Sequence, residues 1–191
     1  MTRQPAGAAR RRVDGAVLVT GNENKVLEAE RICGFPIRHV EADLPEIQSA
    51  SLAEVTREKA AEAWHRLERP VIVEETGLEL ASMNGFPGPL VKWMLEAIGP
   101  VGIARTAAGL EDARARAVCI VAYHDGAEYF AGEGRTDGEL VLPPRGEHGF
   151  GWDSVFRPEG EERTYAELGD QKKDEVGHRG RAWRALLERL G

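Results

Sequence analysis

The amino-acid sequence predicts an α/β fold, a mixed β-sheet flanked by helices. Three observations carry that prediction. Short apolar runs at residues 16–20, 37–40 and 71–73 alternate with stretches of helical period, the arrangement of strands separated by helices. A longer apolar run at 115–123 is followed by residues 128–135 with strand character, which read as its antiparallel neighbour and make the sheet mixed. Glycine and proline cluster between the periodic stretches rather than inside them.

The elements follow in order. Residues 1–15, MTRQPAGAARRRVDG, are basic but carry no apolar segment after the charges, so they read as a disordered tail and not as a secretory signal. Residues 16–20 form a buried strand, Gly21 breaks it, and Val26, Ala29, Ile32 and Cys33 mark one stripe of the helix beyond. The junction TGNENK at 20–25 puts small polar residues and a lysine where free backbone N–H groups and the helix dipole favour an anion, although Thr20 or Asn22 capping the helix is the commoner use of such a turn. A turn at DLPE, 43–46, leads to a helix over 52–66 with Ala53, Ala60, Ala63 and Trp64 inward and Lys59 among them.

The chain is organised around residues 70–94. Val71, Ile72 and Val73 form a strand that delivers Glu74 and Glu75, and a turn is expected at Thr76 and Gly77. Paired carboxylates emerging at the end of a buried strand either hold a hard cation or are two solvated glutamates at the strand end. The segment NGFPGP at 84–89 is a rigid turn, followed by helices over 90–98, which exposes Lys92, and 101–108.

Near the end, GEHGFGWD at 146–153 sets three glycines around two aromatics and an acid. Backbone freedom beside a flat ring suits a pocket wall in which Phe150 or Trp152 stacks on a base and Asp153 accepts a ring N–H; core packing of the aromatics is the alternative. Lys172, Lys173, His178, Arg179 and Arg181 then crowd at the start of an amphipathic helix whose buried face is Ala182, Trp183, Leu186, Leu187 and Leu190. Cations there oppose the helix dipole, so either they are kept for an anion or they form a solvated basic face.

The 191 residues suffice for one domain. A net charge of -7 argues against a non-specific nucleic-acid or anionic-membrane binder, so an anionic ligand requires a local basic cluster. Cys33 and Cys119 lack metal-ligand spacing and read as buried thiols in a reducing cytoplasm. No apolar run approaches the length of a bilayer span.

Together the motifs TGNENK (20–25), DLPE (43–46), VEETGL (73–78), FPGPLVKW (86–93), FGWDSVF (150–156), TYAEL (164–168) and KKDEVGHR (172–179) resemble the inosine triphosphate pyrophosphatase family, in that family's order and approximate spacing. The resemblance implies an elongated mixed sheet with two lobes around a deep central cleft over residues 16–191, usually in a homodimer. It implies metal-assisted hydrolysis of ITP, dITP and XTP to the monophosphate and pyrophosphate, cleansing the nucleotide pool, with Mg2+ held by Glu46 and Glu75 and with Glu75 catalytic. Thr20, Gly21, Asn22 and Lys25 would take the phosphates with Lys59, Thr76 and Lys92. Phe150, Gly151, Trp152 and Asp153 would hold the base, with Lys173, His178 and Arg179 around it. Two positions depart from the pattern: Glu75 stands where the family has aspartate, and Gly177 where it has serine. An extra methylene moves a carboxylate by about 1 Å, a scale that matters for catalysis. The departures therefore also admit a relative specialised for another or modified nucleotide, or a nucleotide-binding protein with little turnover.

Overall fold

The computed structural model describes residues 7–191. Its sheet has seven strands in the order β2-β1-β3-β5-β6-β7, with β4 paired to β3 off that path. The strands are β1 (Val17–Val19), β2 (His39–Val40), β3 (Val71–Leu80), β4 (Pro87–Gly88), β5 (Arg114–His124), β6 (Tyr129–Leu140) and β7 (Phe156–Pro158). β1 runs parallel to β2 and β3, and every other pairing is antiparallel, so the sheet is mixed as expected.

Three expected boundaries move, one of them the end of the strand read at 128–135, which runs on to Leu140 in β6. The strand holding the paired acids does not turn at Thr76 and Gly77; it continues to Leu80, in unbroken register with β5 from Val71↔His124 to Leu80↔Ala115. The turn signal lost because Gly77 meets no steric demand to bend and lies against the backbone of Gly88, where a Cβ would come within 3.0 Å. The basic segment is not wholly a disordered tail either: Gly7–Gly15 form helix α1, with Ala9 and Val13 buried. Arg12 caps that contact, its guanidinium 5.0 Å from the Phe130 ring and ion-paired with Glu128. Residues 1–6 lie outside the described residues.

The other helices are α2 (Glu23–Cys33), α3 (Leu52–Leu67), α4 (Val91–Gly109), α5 (Asp170–Val176) and α6 (His178–Leu190). α4 joins the two expected helices across a kink at Gly99, whose φ of 66° and ψ of 176° are non-helical, just before Pro100. Side chains on one face of β1, β3 and β5 (Leu18, Ile72, Cys119, Val121, Tyr123) pack beneath α1, α2 and α6. The opposite face (Val17, Val19, Val71, Val73, Ala122) packs on Ala60 and Ala63 of α3. A further core, at the distal end of β3, β5 and β6, joins Leu78, Leu80, Ala117, Phe156 and Tyr165 to Ile103 and Ala107 of α4.

α6 lies unusually close to β6. A Cβ on Gly134 would fall 2.0 Å from the His178 carbonyl oxygen and 2.4 Å from the Ala182 nitrogen, and one on Gly132 only 2.2 Å from the Leu186 nitrogen. Backbone atoms cannot yield as a flexible side chain does. Gly134→Ala should therefore destabilise the fold by about 1 to 3 kcal/mol through overpacking, read as a lowered midpoint in urea unfolding.

Candidate active site

A cavity of about 640 Å3 opens beside the C-terminal end of β1 and the middle of β3. It gathers Thr20, Gly21, Asn22 and Lys25 from the β1–α2 junction, Glu46 from the loop before α3, and Lys59 from α3. Glu75 and Thr76 enter from β3, Lys92 from α4, Phe150 to Asp153 from the glycine-rich loop, and His178 and Arg179 from α6. Every site residue expected from sequence lines it except Lys173, which sits behind the wall and is 6 % exposed.

The two consecutive acids part company because side chains alternate across a strand. Glu74 follows Ile72 onto the face covered by α6, where its side chain is fully buried. Its Oε1 accepts from Arg179 Nε at 2.9 Å and its Oε2 from Trp183 Nε1 at 3.2 Å. Glu75 points the other way, into the cavity, where it accepts a hydrogen bond from Lys59. The same lysine donates to Glu46 Oε1 at 2.6 Å. Burial works against the charge on Lys59, but Glu75 and Glu46 outweigh it and its pKa is raised. Burial likewise acts to raise Glu46, yet the Lys59 hydrogen bond and charge bring it below the usual carboxylate value.

The β1–α2 turn is closed by its own side chains. Asn22 Oδ1 accepts from the Asn24 and Lys25 N–H groups at 3.0 and 3.4 Å, and Thr20 Oγ1 accepts from the Asn22 N–H. Lys25 Nζ donates to the Glu74 carbonyl at 3.1 Å, linking the turn to the centre of β3. Lys92 lies over the Trp93 ring and has no carboxylate partner among the described residues.

At the other end, the C-terminal cations are not held in reserve for an anion. Lys173 Nζ donates to Glu28 Oε1 at 2.8 Å and to Asp153 Oδ2 at 2.7 Å, and Arg179 Nη1 donates to Glu28 Oε2. Lys172 pairs with Glu161, and Arg181 donates to the Arg135 carbonyl. Burying a cation is tolerable only with such partners. Glu28 was not foreseen. The signal available was a glutamate beside the buried stripe of α2 in a chain whose later cations required a counter-charge.

These contacts set the protonation states. Burial alone would raise Glu28, but Arg179 and Lys173 hold its pKa below the usual value. For Asp153 burial prevails over Lys173 and the Phe150 N–H, and the pKa is raised. His178 is forced well below its ordinary pKa by burial and then by the Arg179 and Lys173 charges, so it is neutral. Its ring stacks on Tyr165 at 5.8 Å, while His178 Nδ1 and Trp152 Nε1 are buried without a hydrogen-bond partner. Phe150 covers both buried cations, its ring centroid 5.0 Å from Lys173 Nζ and 5.4 Å from Arg179 Cζ. Asp153 is drawn under the loop at Gly149, whose φ of 78° suits glycine, and a Cβ there would fall 2.2 Å from Asp153 Oδ2.

The protein is thus of the α/β class, its mixed sheet carrying a cavity with acids and lysines at one end and a glycine-rich aromatic wall at the other. Residues 16–189 match the model of the Ham1 family, and the chain belongs to that family. It is similar to inosine triphosphate pyrophosphatase 2 of Trypanosoma cruzi (strain CL Brener), with 44 % identity over 173 residues that cover 88 % of each chain. To the inosine triphosphate pyrophosphatase of Schizosaccharomyces pombe it is 42 % identical over 167 residues, 85 % of this chain and 88 % of the relative. A HAM1 protein from Coxiella burnetii superposes with a TM-score of 0.79 at 25 % identity, covering 92 % of this chain and 97 % of that one. The nucleoside-triphosphatase / dITP/XTP pyrophosphatase from Mycobacterium abscessus superposes with a TM-score of 0.68 at 30 % identity, covering 90 % and 98 %.

Two outcomes follow for stability. Glu74→Gln leaves Arg179 without its full buried counter-charge and should cost about 3 to 5 kcal/mol in urea unfolding. Because the His178 pKa is lowered from 6.5, the unfolded state takes up a proton first on acidification, and stability is lost as pH falls below 6.5. His178→Gln should flatten the stability–pH slope between about pH 6.5 and 5 while leaving the steeper carboxylate limb in place.

Proposed function

We propose that the protein hydrolyses the non-standard purine nucleoside triphosphates ITP, dITP and XTP to the monophosphate and pyrophosphate. The observation that carries this reading is the convergence in one cavity of two carboxylates and three lysines, Glu46, Glu75, Lys25, Lys59 and Lys92, with unpartnered ring N–H and imidazole groups at its other end. The names borne by the relatives at 42 and 44 % identity favour an enzyme over a protein that only binds nucleotide.

A divalent cation, here Mg2+, fits Glu46 and Glu75. Both reach one ammonium, so both lie within reach of one cation, and among the described residues no set of three or more acids, histidines or cysteines competes for a metal. Two carboxylates plus substrate phosphates are the usual magnesium donor set. When bound, the cation would offset phosphate charge and polarise the phosphate oxygens. Glu75 orients a water or takes its proton as the water attacks the α-phosphorus in line with the leaving pyrophosphate. Lys25, Lys59 and Lys92 stabilise the charge that gathers on the leaving group. Thr20, Gly21, Asn22 and Thr76 line the same end and position the phosphate tail.

Base choice follows from donors and acceptors. Hypoxanthine and xanthine offer a keto oxygen and an N1–H. Arg179 keeps Nη2 after pairing Nε and Nη1, and neutral His178 offers a ring nitrogen to the keto oxygen; Asp153, whose bonds both fall on Oδ2, offers Oδ1 to N1–H. Trp152 and Phe150 flank the ring, with Gly151 leaving it room, and Lys173 holds Asp153 in place. Adenine reverses the donor pattern, at about 1 to 3 kcal/mol for each hydrogen bond left unmade. We further infer a homodimer acting in the cytoplasm, free of nucleic acid and membrane; among the described residues no helix is long and apolar enough to cross a membrane.

The reading is tested by pyrophosphate release from ITP, dITP, XTP, GTP, ATP and UTP, with Mg2+ and with chelator. Metal-dependent release that favours ITP, dITP and XTP over ATP by roughly a hundredfold in kcat/KM is expected from two mismatched hydrogen bonds. Glu75→Gln should retain nucleotide and lose at least about a hundredfold in kcat. Release that persists undiminished in chelator would remove the metal, and no release from any member of the panel would remove the activity.

A further inference from the structure

The three cavity lysines are held in three different ways. Lys25 is anchored to a backbone carbonyl of β3, and Lys92 rests on Trp93. Lys59 alone bridges two carboxylates, and those two, Glu46 and Glu75, are the pair assigned above to the metal. The bridge draws together three separate segments: the loop before α3, α3 itself and the middle of β3. The Lys59 and Glu75 side chains are each only 15 % exposed, so neither charge is left to water.

We propose that Lys59 is the resident counter-cation of the metal site: its ammonium holds Glu46 and Glu75 together in the metal-free protein, and metal entry displaces it into the cavity toward the phosphate tail. This rests on the metal assignment of the preceding subsection and adds an exchange to it. Two converging carboxylates repel one another unless a cation or a shared proton lies between them, and here Lys59 supplies the cation. Lys59 Nζ sits between Glu46 Oε1 and Glu75 Oε1, the point that a cation bridging those two oxygens would take, and two positive charges there repel. Exchange of the ammonium for a divalent cation turns a locally negative cluster neutral and frees a positive charge that only an anion can then satisfy. Metal alone therefore binds against Lys59. Metal with nucleotide binds with its help, because the displaced ammonium acquires a partner.

The opposite signs of these two effects give the test. Mn2+ affinity is measured by electron paramagnetic resonance, without nucleotide, on the wild type, Lys59→Met and Lys92→Met, each checked for an intact melting transition. Lys59→Met should bind Mn2+ alone about fivefold or more tightly, the scale of a partly buried ion pair removed as a competitor. Lys92→Met, which removes an equal charge that bridges nothing, should change it by no more than about twofold. Binding of ITP in the presence of Ca2+, followed by calorimetry, should weaken in Lys59→Met. In the wild type, acylation of Lys59 by an amine reagent, followed by mass spectrometry, should rise when Mn2+ is added while that of Lys25 stays constant; this arm needs no variant to fold.

Equal or weaker Mn2+ binding by Lys59→Met, or unchanged Lys59 labelling in Mn2+-loaded wild type, overturns the exchange while leaving the metal site standing. A gain in Lys92→Met as large as in Lys59→Met overturns it in favour of a general field effect. No Mn2+ binding in any variant, with or without nucleotide, overturns it together with the metal assignment.

Discussion

The structure depends on one buried charge network. Glu28 and Glu74 face Arg179, Glu28 and Asp153 face Lys173, and Trp183 closes the remaining oxygen of Glu74. These residues come from α2, β3, the glycine-rich loop, α5 and α6, so the network pins every element that forms one end of the cavity. Each member is intelligible only through the others, since an isolated charge at that depth would be expelled or neutralised. Partnered, their desolvation is offset by opposite charge and hydrogen bonds, which also fix their geometry.

A second cluster, Glu46, Lys59 and Glu75, is smaller and wetter, with Glu46 41 % exposed. The contrast matches the roles proposed for them. A head group recognised by hydrogen-bond pattern requires donors and acceptors that do not move, whereas a site that must take up and release a highly charged tail requires partners that can be exchanged. His178 belongs to the buried end: packed against Trp152 and Tyr165 and beside two cations, it stays neutral.

The alternation of strands and helices and the α3 boundaries were legible in the sequence, because apolar periodicity and glycine–proline punctuation are local signals, whereas α4 was read as two separate helices. Every site residue expected from the sequence, Lys173 apart, lines the cavity, whereas Asp43, Leu44, Gln48, Trp93 and Leu95 of its wall were not among those expected. What escaped was non-local. The extension of β3 past Gly77 depends on β5 and β4 lying alongside it. The helical fold of Gly7–Gly15 depends on a surface built by β5, β6 and α6. Glu28 could be assigned no partner until α5 and α6, almost 150 residues on, came to rest against it. The C-terminal cations were read as candidates for an external anion because the acids that neutralise them, Glu28, Glu74, Asp153 and Glu161, come from four other segments.

The adjacency of Glu74 and Glu75 has a consequence for how such a protein can change. One peptide unit joins the carboxylate that braces the head-group end to the carboxylate that faces the phosphate end, and Lys25 touches the carbonyl of that same unit. The two ends share a single rigid lever. Displacement of one is felt at the other without any relay of intervening parts, so under the proposed roles selectivity and turnover are coupled through β3. New preferences must be acquired at the periphery, in the loop around Gly149 or in the kinked α4, where a substitution can reshape the wall without pulling on the lever.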